Sequence, residues 1–291
     1  MTASPLWQTW VFACAVLITI GANLVFQPDM TVQLLMLVPA VAVLGLPHGA
    51  LDLPIAQSLW PVKGWWGHAR FAGLYIGLAL LLIGIWIAFP GPALCAFLIY
   101  SAVHFSGDWD HSANTMRWTG GIATVGAPAL FQREEVATIF SYLAPEQAAN
   151  FAALFLALSG AAALALYVVL VMFQPRLRTS AALEQGIIWI AAAFLAPLVY
   201  FTIYFCTLHS VRHFSDAFVF LDRKRHALEV AGLLCVVTVL AGFFGFAIMQ
   251  RFEPIDVEQS ILQIVFIGLA ALTVPHMILV ERFQHQITKK R

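Results

Sequence analysis

Apolar runs about as long as a bilayer core is thick follow one another along this chain, joined by short polar segments. A helix needs roughly 20 residues to cross about 30 Å of hydrocarbon. Runs of that length, or nearly so, fall at about residues 6–26, 31–57, 68–89, 92–106, 117–130, 148–173, 228–249 and 259–281. After Arg176 and Arg178 comes a further apolar stretch of 34 residues, Ala182 to Ser215, interrupted by Pro197. Proline removes a backbone donor and favours a bend, so this stretch is either one long kinked helix or two short crossings that turn near Pro197.

Charge placement favours two crossings. Lysine and arginine accumulate in short cytoplasmic loops. With ten spans and a cytoplasmic N-terminus, Arg176, Arg178, Arg223, Lys224 and Arg225 fall on that side, and only Arg133 and Arg251 fall on the other. The expected fold is all-α: a polytopic transmembrane helical bundle of about ten spans, eight or nine being the alternative. It would be a multi-pass protein of the cell membrane with both termini cytoplasmic. No repeat, low-complexity tract or long linker divides the chain, so residues 1–291 read as a single integral membrane domain. Leu6 to Phe26 lacks a basic flank and a small-residue cleavage site, and reads as a retained span rather than a signal peptide.

Composition agrees. Hydrophobic residues make up 61% of the chain and charged residues 10%, with a mean hydropathy of +0.86; a soluble domain carries about 25% charged residues. Basic and acidic residues balance at 15 each, which removes the electrostatic case for nucleic acid. Cys14, Cys95, Cys206 and Cys235 are far apart, form no zinc-ligand spacing and read as small core hydrophobes.

Against this background five histidines stand out, because they lie inside or at the ends of apolar runs: His48, His104, His209, His213 and His276. A polar group buried in hydrocarbon must be hydrogen-bonded, paired or bound to something, and imidazole is the commonest protein ligand for transition metals. In the ten-span arrangement all five fall toward the cytoplasmic ends of their spans. His209 and His213 are four residues apart, which on an α-helix places them on one face, suitable for a shared metal. Without a glutamate after His209 the pair lacks the general base of a zinc protease. His48 and His104 are each followed four residues later by a carboxylate, Asp52 and Asp108, with Gly49 and Gly107 between. Each aspartate could hydrogen-bond a ligating imidazole, ligate the metal itself, or simply end its helix in the wet interfacial zone. His276, after Pro275, is a candidate for a place beside the ligands or in a substrate cavity, or for a plain interhelical hydrogen bond. Arg212 and Asp216 have the spacing of a local ion pair. His68, His111, His226 and His285 read as solvent-exposed.

Taken together, P-H-G-A-L-D, S-A-V-H-F-S-G-D, H-S-V-R-H and V-P-H-M-I-L-V resemble, in order and over nearly the whole chain, the Brp/Blh-type family of bacterial and archaeal β-carotene 15,15'-dioxygenases. The resemblance implies a polytopic membrane enzyme that cleaves the central double bond of β-carotene with O2 to give two retinals. It implies an Fe(2+) cofactor held by His48, His104, His209 and His213, all present here. Asp52, Asp108 and His276 are then the candidates for holding those ligands in place, either aspartate remaining a possible ligand. The implied partners are β-carotene, O2 and the lipid bilayer, with no nucleic acid. The rival readings are a haem-binding membrane electron carrier, a transporter using intramembrane His and Asp groups, and a membrane di-iron oxygenase, which needs about eight clustered ligands.

Overall fold

The computed structural model describes residues 6–60, 62–221, 223–252 and 256–290, with side chains except at Phe220 and residues 283–290. Among them every regular element is helical. The chain begins with α1 (Leu6–Asn23) and α2 (Met30–Ala40), then a π-helical turn (Val41–Gly45), α3 (Leu46–Ala50), α4 (Asp52–Leu59) and α5 (Gly64–Ala88). Next come α6 (Pro90–Ser106), a 3-10 turn (Gly107–Trp109), α7 (Asn114–Phe131), α8 (Arg133–Ser141) and α9 (Glu146–Phe173). The last part holds α10 (Ser180–Phe194), α11 (Pro197–Tyr204), a second π-helical turn (Phe205–His209), α12 (Ser210–Phe220), α13 (Lys224–Phe252) and α14 (Val257–Lys290).

Six helical runs have the length and apolarity to cross a membrane: Leu6–Asn23, Met30–Leu59, Gly64–Ala88, Glu146–Phe173, Lys224–Phe252 and Val257–Arg282. Ser180–Phe194 is a shorter apolar helix. Their outward faces are hydrocarbon: Leu74, Leu80, Leu81 and Ile87 of α5 are exposed, and Trp65 and Trp66 lie open at its start, as residues of an interfacial belt do. The stretch interrupted by Pro197 is two helices. Leu195 and Ala196 are extended, and Pro197 starts α11, where its missing N–H costs nothing. The side chain of Gln132 donates to the carbonyls of Ala192 and Leu195 at 2.8 and 2.7 Å, satisfying acceptors that the end of α10 leaves open.

Contacts group the chain into two compact units, one of residues up to Ala40 with Pro90–Arg212, the other of Val41–Phe89 with residues from His213 on. In the first unit α7 packs against α6, α9 and α10, and glycine sets how near they come. A Cβ on Gly121 would lie 2.3 Å from the carbonyl oxygen of Ala102 in α6, and one on Gly120 would lie 2.3 Å from the Trp109 ring. Gly126 of α7 and Gly160 of α9 touch backbone to backbone. Without a hydrophobic drive between helices in lipid, such small-residue contacts and polar bonds hold a bundle together. Thr119 and Gln185 supply one of those bonds between α7 and α10, at 3.1 Å. In the second unit Ala50, Leu51, Ile55 and Ala56 pack with Ala227, Ala231 and Leu279 of α13 and α14. Gln250 donates to Ser260 at 2.8 Å, tying α13 to α14.

The four cysteines are free thiols; Cys206 alone is fully buried, and Cys14 faces outward, so the reading of all four as core residues holds for one. Of the remaining histidines, His226 is exposed while His68 and His111 are partly buried, the former bonded to Gln57 and the carbonyl of Gly64; the side chain of His285 lies outside the described residues.

The close approach of α6 and α7 gives a test. Gly121→Val must push Ser106 and the Ala102 carbonyl away, an overpacking worth about 1–3 kcal/mol. Its thermal unfolding midpoint in detergent should fall clearly below that of wild type. Gly77→Val, at a site with nothing within 4 Å, should leave the midpoint unchanged.

Candidate metal centre

In the first unit the histidine motif of α6 runs straight into the 3-10 turn Gly107–Trp109, so that His104 projects from the helix end and Asp108 is fully buried behind it. The π-helical turn Phe205–His209 delivers His209, also with no exposure. Such turns insert an extra residue into a helix and recur at functional sites. The Nδ1 of His209 lies 3.1 and 3.2 Å from the two carboxylate oxygens of Asp108. The Tyr204 hydroxyl donates to the same carboxylate. With its Nδ1–H donated to Asp108, the neutral ring of His209 keeps its lone pair on Nε2. That Nε2 faces the Nε2 of His104 at 3.1 Å.

This donor set fits a metal ion. Two imidazole nitrogens bound at about 2.1 Å with roughly a right angle between them lie about 3.0 Å apart. The surroundings are dry: Phe205 stacks on the His209 ring at 5.5 Å, and Phe105 meets it edge-on at 4.9 Å.

A second polar layer holds Asp108 from behind. Arg212 donates to the main-chain carbonyl of Asp108 at 2.6 Å and pairs with Glu184 at 2.7 Å, while its Nε reaches Gln8 at 3.1 Å. Glu184, fully buried, also accepts from Thr9 at 2.6 Å and Trp109 at 3.0 Å. The partner of Arg212 is thus Glu184 on α10, where the sequence had offered Asp216. Glu184 did carry a signal: it is the lone carboxylate within the apolar stretch Ala182 to Ser215, and that placement itself asks for a partner.

The second unit holds a comparable set of side chains on differently ordered elements. The π-helical turn Val41–Gly45 ends just before His48, and the ring Nδ1 of His48 bonds the carbonyl of Gly45, which leaves Nε2 as its donor atom. Asp52, at the start of α4, is 3% exposed and lies 2.7 Å from His276 Nδ1 on α14. Tyr75 of α5 donates to the other Asp52 oxygen at 2.7 Å. The rings of His48 and His276 have centroids 5.3 Å apart, and those of His48 and His213 6.3 Å apart. Rings bound to one ion lie between about 4.5 and 6.5 Å apart by centroid, so these imidazoles also fit a common metal.

The structure therefore brings His104, Asp108 and His209 together in the first unit, and His48, Asp52, His213 and His276 in the second. Each aspartate reaches across to a histidine on another helix, where the four-residue spacing had suggested its own local histidine. His209 and His213 stay on one unbroken helical run, as their spacing predicts. Sequence reasoning missed both tyrosines, Tyr75 and Tyr204. Neither had a motif of its own, and only the buried carboxylates, which need donors, pointed to such partners.

Residues 39–284 match the family model described as Beta-carotene 15,15'-dioxygenase. A curated protein of that name from an uncultured marine bacterium, 66A03, is 34% identical over 258 residues, covering 83% of this chain and 90% of the relative. No solved structure matches. The order of the histidine motifs, the helical architecture and these matches over most of the length agree, and the chain belongs to the beta-carotene 15,15'-dioxygenase family.

Proposed function

We propose that the protein is an iron(II)-dependent dioxygenase that cleaves the central 15,15' double bond of β-carotene with O2 to give two molecules of retinal. Family membership supports the reaction, and the observation that carries the chemistry is the pair His104–His209, whose Nε2 atoms face each other at 3.1 Å, the ring of His209 being held from its other side by Asp108. The reaction balances without a reductant, since each oxygen atom of O2 ends in one aldehyde. That fits a chain with no nucleotide-binding motif. Membership of this family displaces the haem-carrier, transporter and di-iron readings.

The proposed ligands are His48, His104, His209 and His213, neutral donors suited to iron that leave coordination positions for oxygen. When bound, iron(II) supplies the activation of dioxygen. The chain's own residues do the rest. Asp108 and Tyr204 hold His209 in its Nε2-donor tautomer. Phe105 and Phe205 keep water from the imidazole, and the aromatic walls suit an apolar polyene, whose central bond must be held beside the site for cleavage to be symmetric. Such a substrate reaches the protein laterally from the bilayer.

We place the whole chain as one domain in the cell membrane with ten spans. The six long apolar runs are joined by Pro90–Ser106, Asn114–Phe131, Ser180–Phe194 and the run that starts at Pro197. Both termini are then cytoplasmic, with Arg176, Arg178 and Arg223 to Arg225 on the same side.

Anaerobic purification, loading with iron(II) and addition of β-carotene and O2 test this directly. Two retinals per β-carotene are expected, and none in the metal-free control. Apocarotenals of unequal length would move the cleavage position, and no carotenoid consumption by folded, iron-loaded protein would overturn the reading. Alanine at His48, His104, His209 or His213 should abolish turnover while the protein still inserts in the membrane. Asp108→Asn should weaken iron binding about 10–100-fold, the usual cost of losing a residue that orients a ligand. Wild-type iron content and turnover in that variant would remove Asp108 from its role.

A further inference from the structure

The two units contain the same chain of hydrogen bonds. In the first, a histidine is followed four residues on by an aspartate, His104 and Asp108. Its carboxylate binds the Nδ1 of a histidine on another helix, His209, and the hydroxyl of Tyr204. In the second, the corresponding residues are His48, Asp52, His276 and Tyr75. Each unit also sets a π-helical turn at or just before one of its histidines. The aspartate-held histidine of the first unit belongs to the proposed ligand set. Its counterpart, His276, does not.

We infer that His276 is a further imidazole donor for the metal that His48 and His213 are proposed to bind, presented by Asp52 and Tyr75 as His209 is presented by Asp108 and Tyr204. The inference rests on the metal-dependent reading above. With Nδ1 2.7 Å from the carboxylate of Asp52, the neutral ring donates its N–H there and holds its lone pair on Nε2, and the carboxylate raises the basicity of that nitrogen. The His276 ring stands nearly perpendicular to that of His48, at 83°, with centroids 5.3 Å apart. This is the separation of two imidazoles about 110° apart on one ion. Asp52 is almost completely buried. A carboxylate in such a place needs a nearby positive charge or several donors, and a metal bound through His276 supplies the charge that the Tyr75 hydroxyl alone does not. The rival arrangement is an imidazolium–aspartate pair that only fastens α14 to α4.

Cobalt(II), whose visible bands report the number and kind of its ligands, separates the two. Metal-free full-length protein in detergent is titrated anaerobically with cobalt(II) as wild type, His276→Ala, His209→Ala and Asp52→Asn. For His276→Ala we expect cobalt(II) affinity lower by about 100-fold and shifted bands, with added free imidazole returning the bands toward those of wild type. Asp52→Asn should keep the band shape and lose about 10-fold in affinity. Wild-type bands and affinity in His276→Ala, with cobalt lost from His209→Ala, would show His276 to be structural and leave the metal centre standing. Failure of wild-type protein to bind cobalt, or unaltered binding in His209→Ala, would instead overturn the metal-centre reading and this inference with it. His276→Gln, which keeps bulk and polarity, gives the same decision if the alanine variant does not purify folded.

Discussion

A carboxylate buried among apolar helices must find hydrogen-bond donors on every side, and the architecture of each unit answers that demand. Asp108 is satisfied by His209 and Tyr204 through its side chain and by Arg212 through its carbonyl. Arg212 in turn needs an anion, and Glu184 provides one, held by Thr9 and Trp109. Six segments of the first unit, α1, the 3-10 turn, α10, α11, the π-helical turn and α12, are thereby tied to one point. Removing Arg212 or Glu184 alone would strand a charge in the interior, at a cost of about 3–5 kcal/mol. The same network that stabilises the unit also dictates which nitrogen of His209 holds the lone pair, so stability and chemistry share one set of bonds.

Close packing makes that set of bonds attainable. Gly120 and Gly121 let α7 come against Trp109 and the end of α6, the segment that carries His104 and Asp108. A bulkier side chain there would lift the motif away from its partners on α10 and α11. Geometry at the imidazoles therefore traces back to two residues with no side chain at all.

Much of this was legible in the sequence. The apolar runs gave the helices, and the break at Pro197 fell where a proline without an N–H starts a new one. The histidines were legible because imidazole is out of place in hydrocarbon. The pairing of the aspartates was not. Spacing along one helix describes only local neighbours, and Asp52 and Asp108 find theirs on α14 and on the turn after α11. Glu184 and the tyrosines became meaningful only once the buried charges they serve were known. Helix count was also ambiguous, since Ser180–Phe194 and its neighbours are shorter than a bilayer is thick, and apolarity alone does not distinguish a short crossing from a buried core helix.

An iron-loaded structure with anomalous scattering measured on both sides of the iron edge tests the central claim most directly. The account predicts one strong peak about 2.1 Å from both His104 Nε2 and His209 Nε2, with Asp108 still on Nδ1 of His209. A peak bound elsewhere, or one beside the Asp108 carboxylate with His209 turned away, would contradict it.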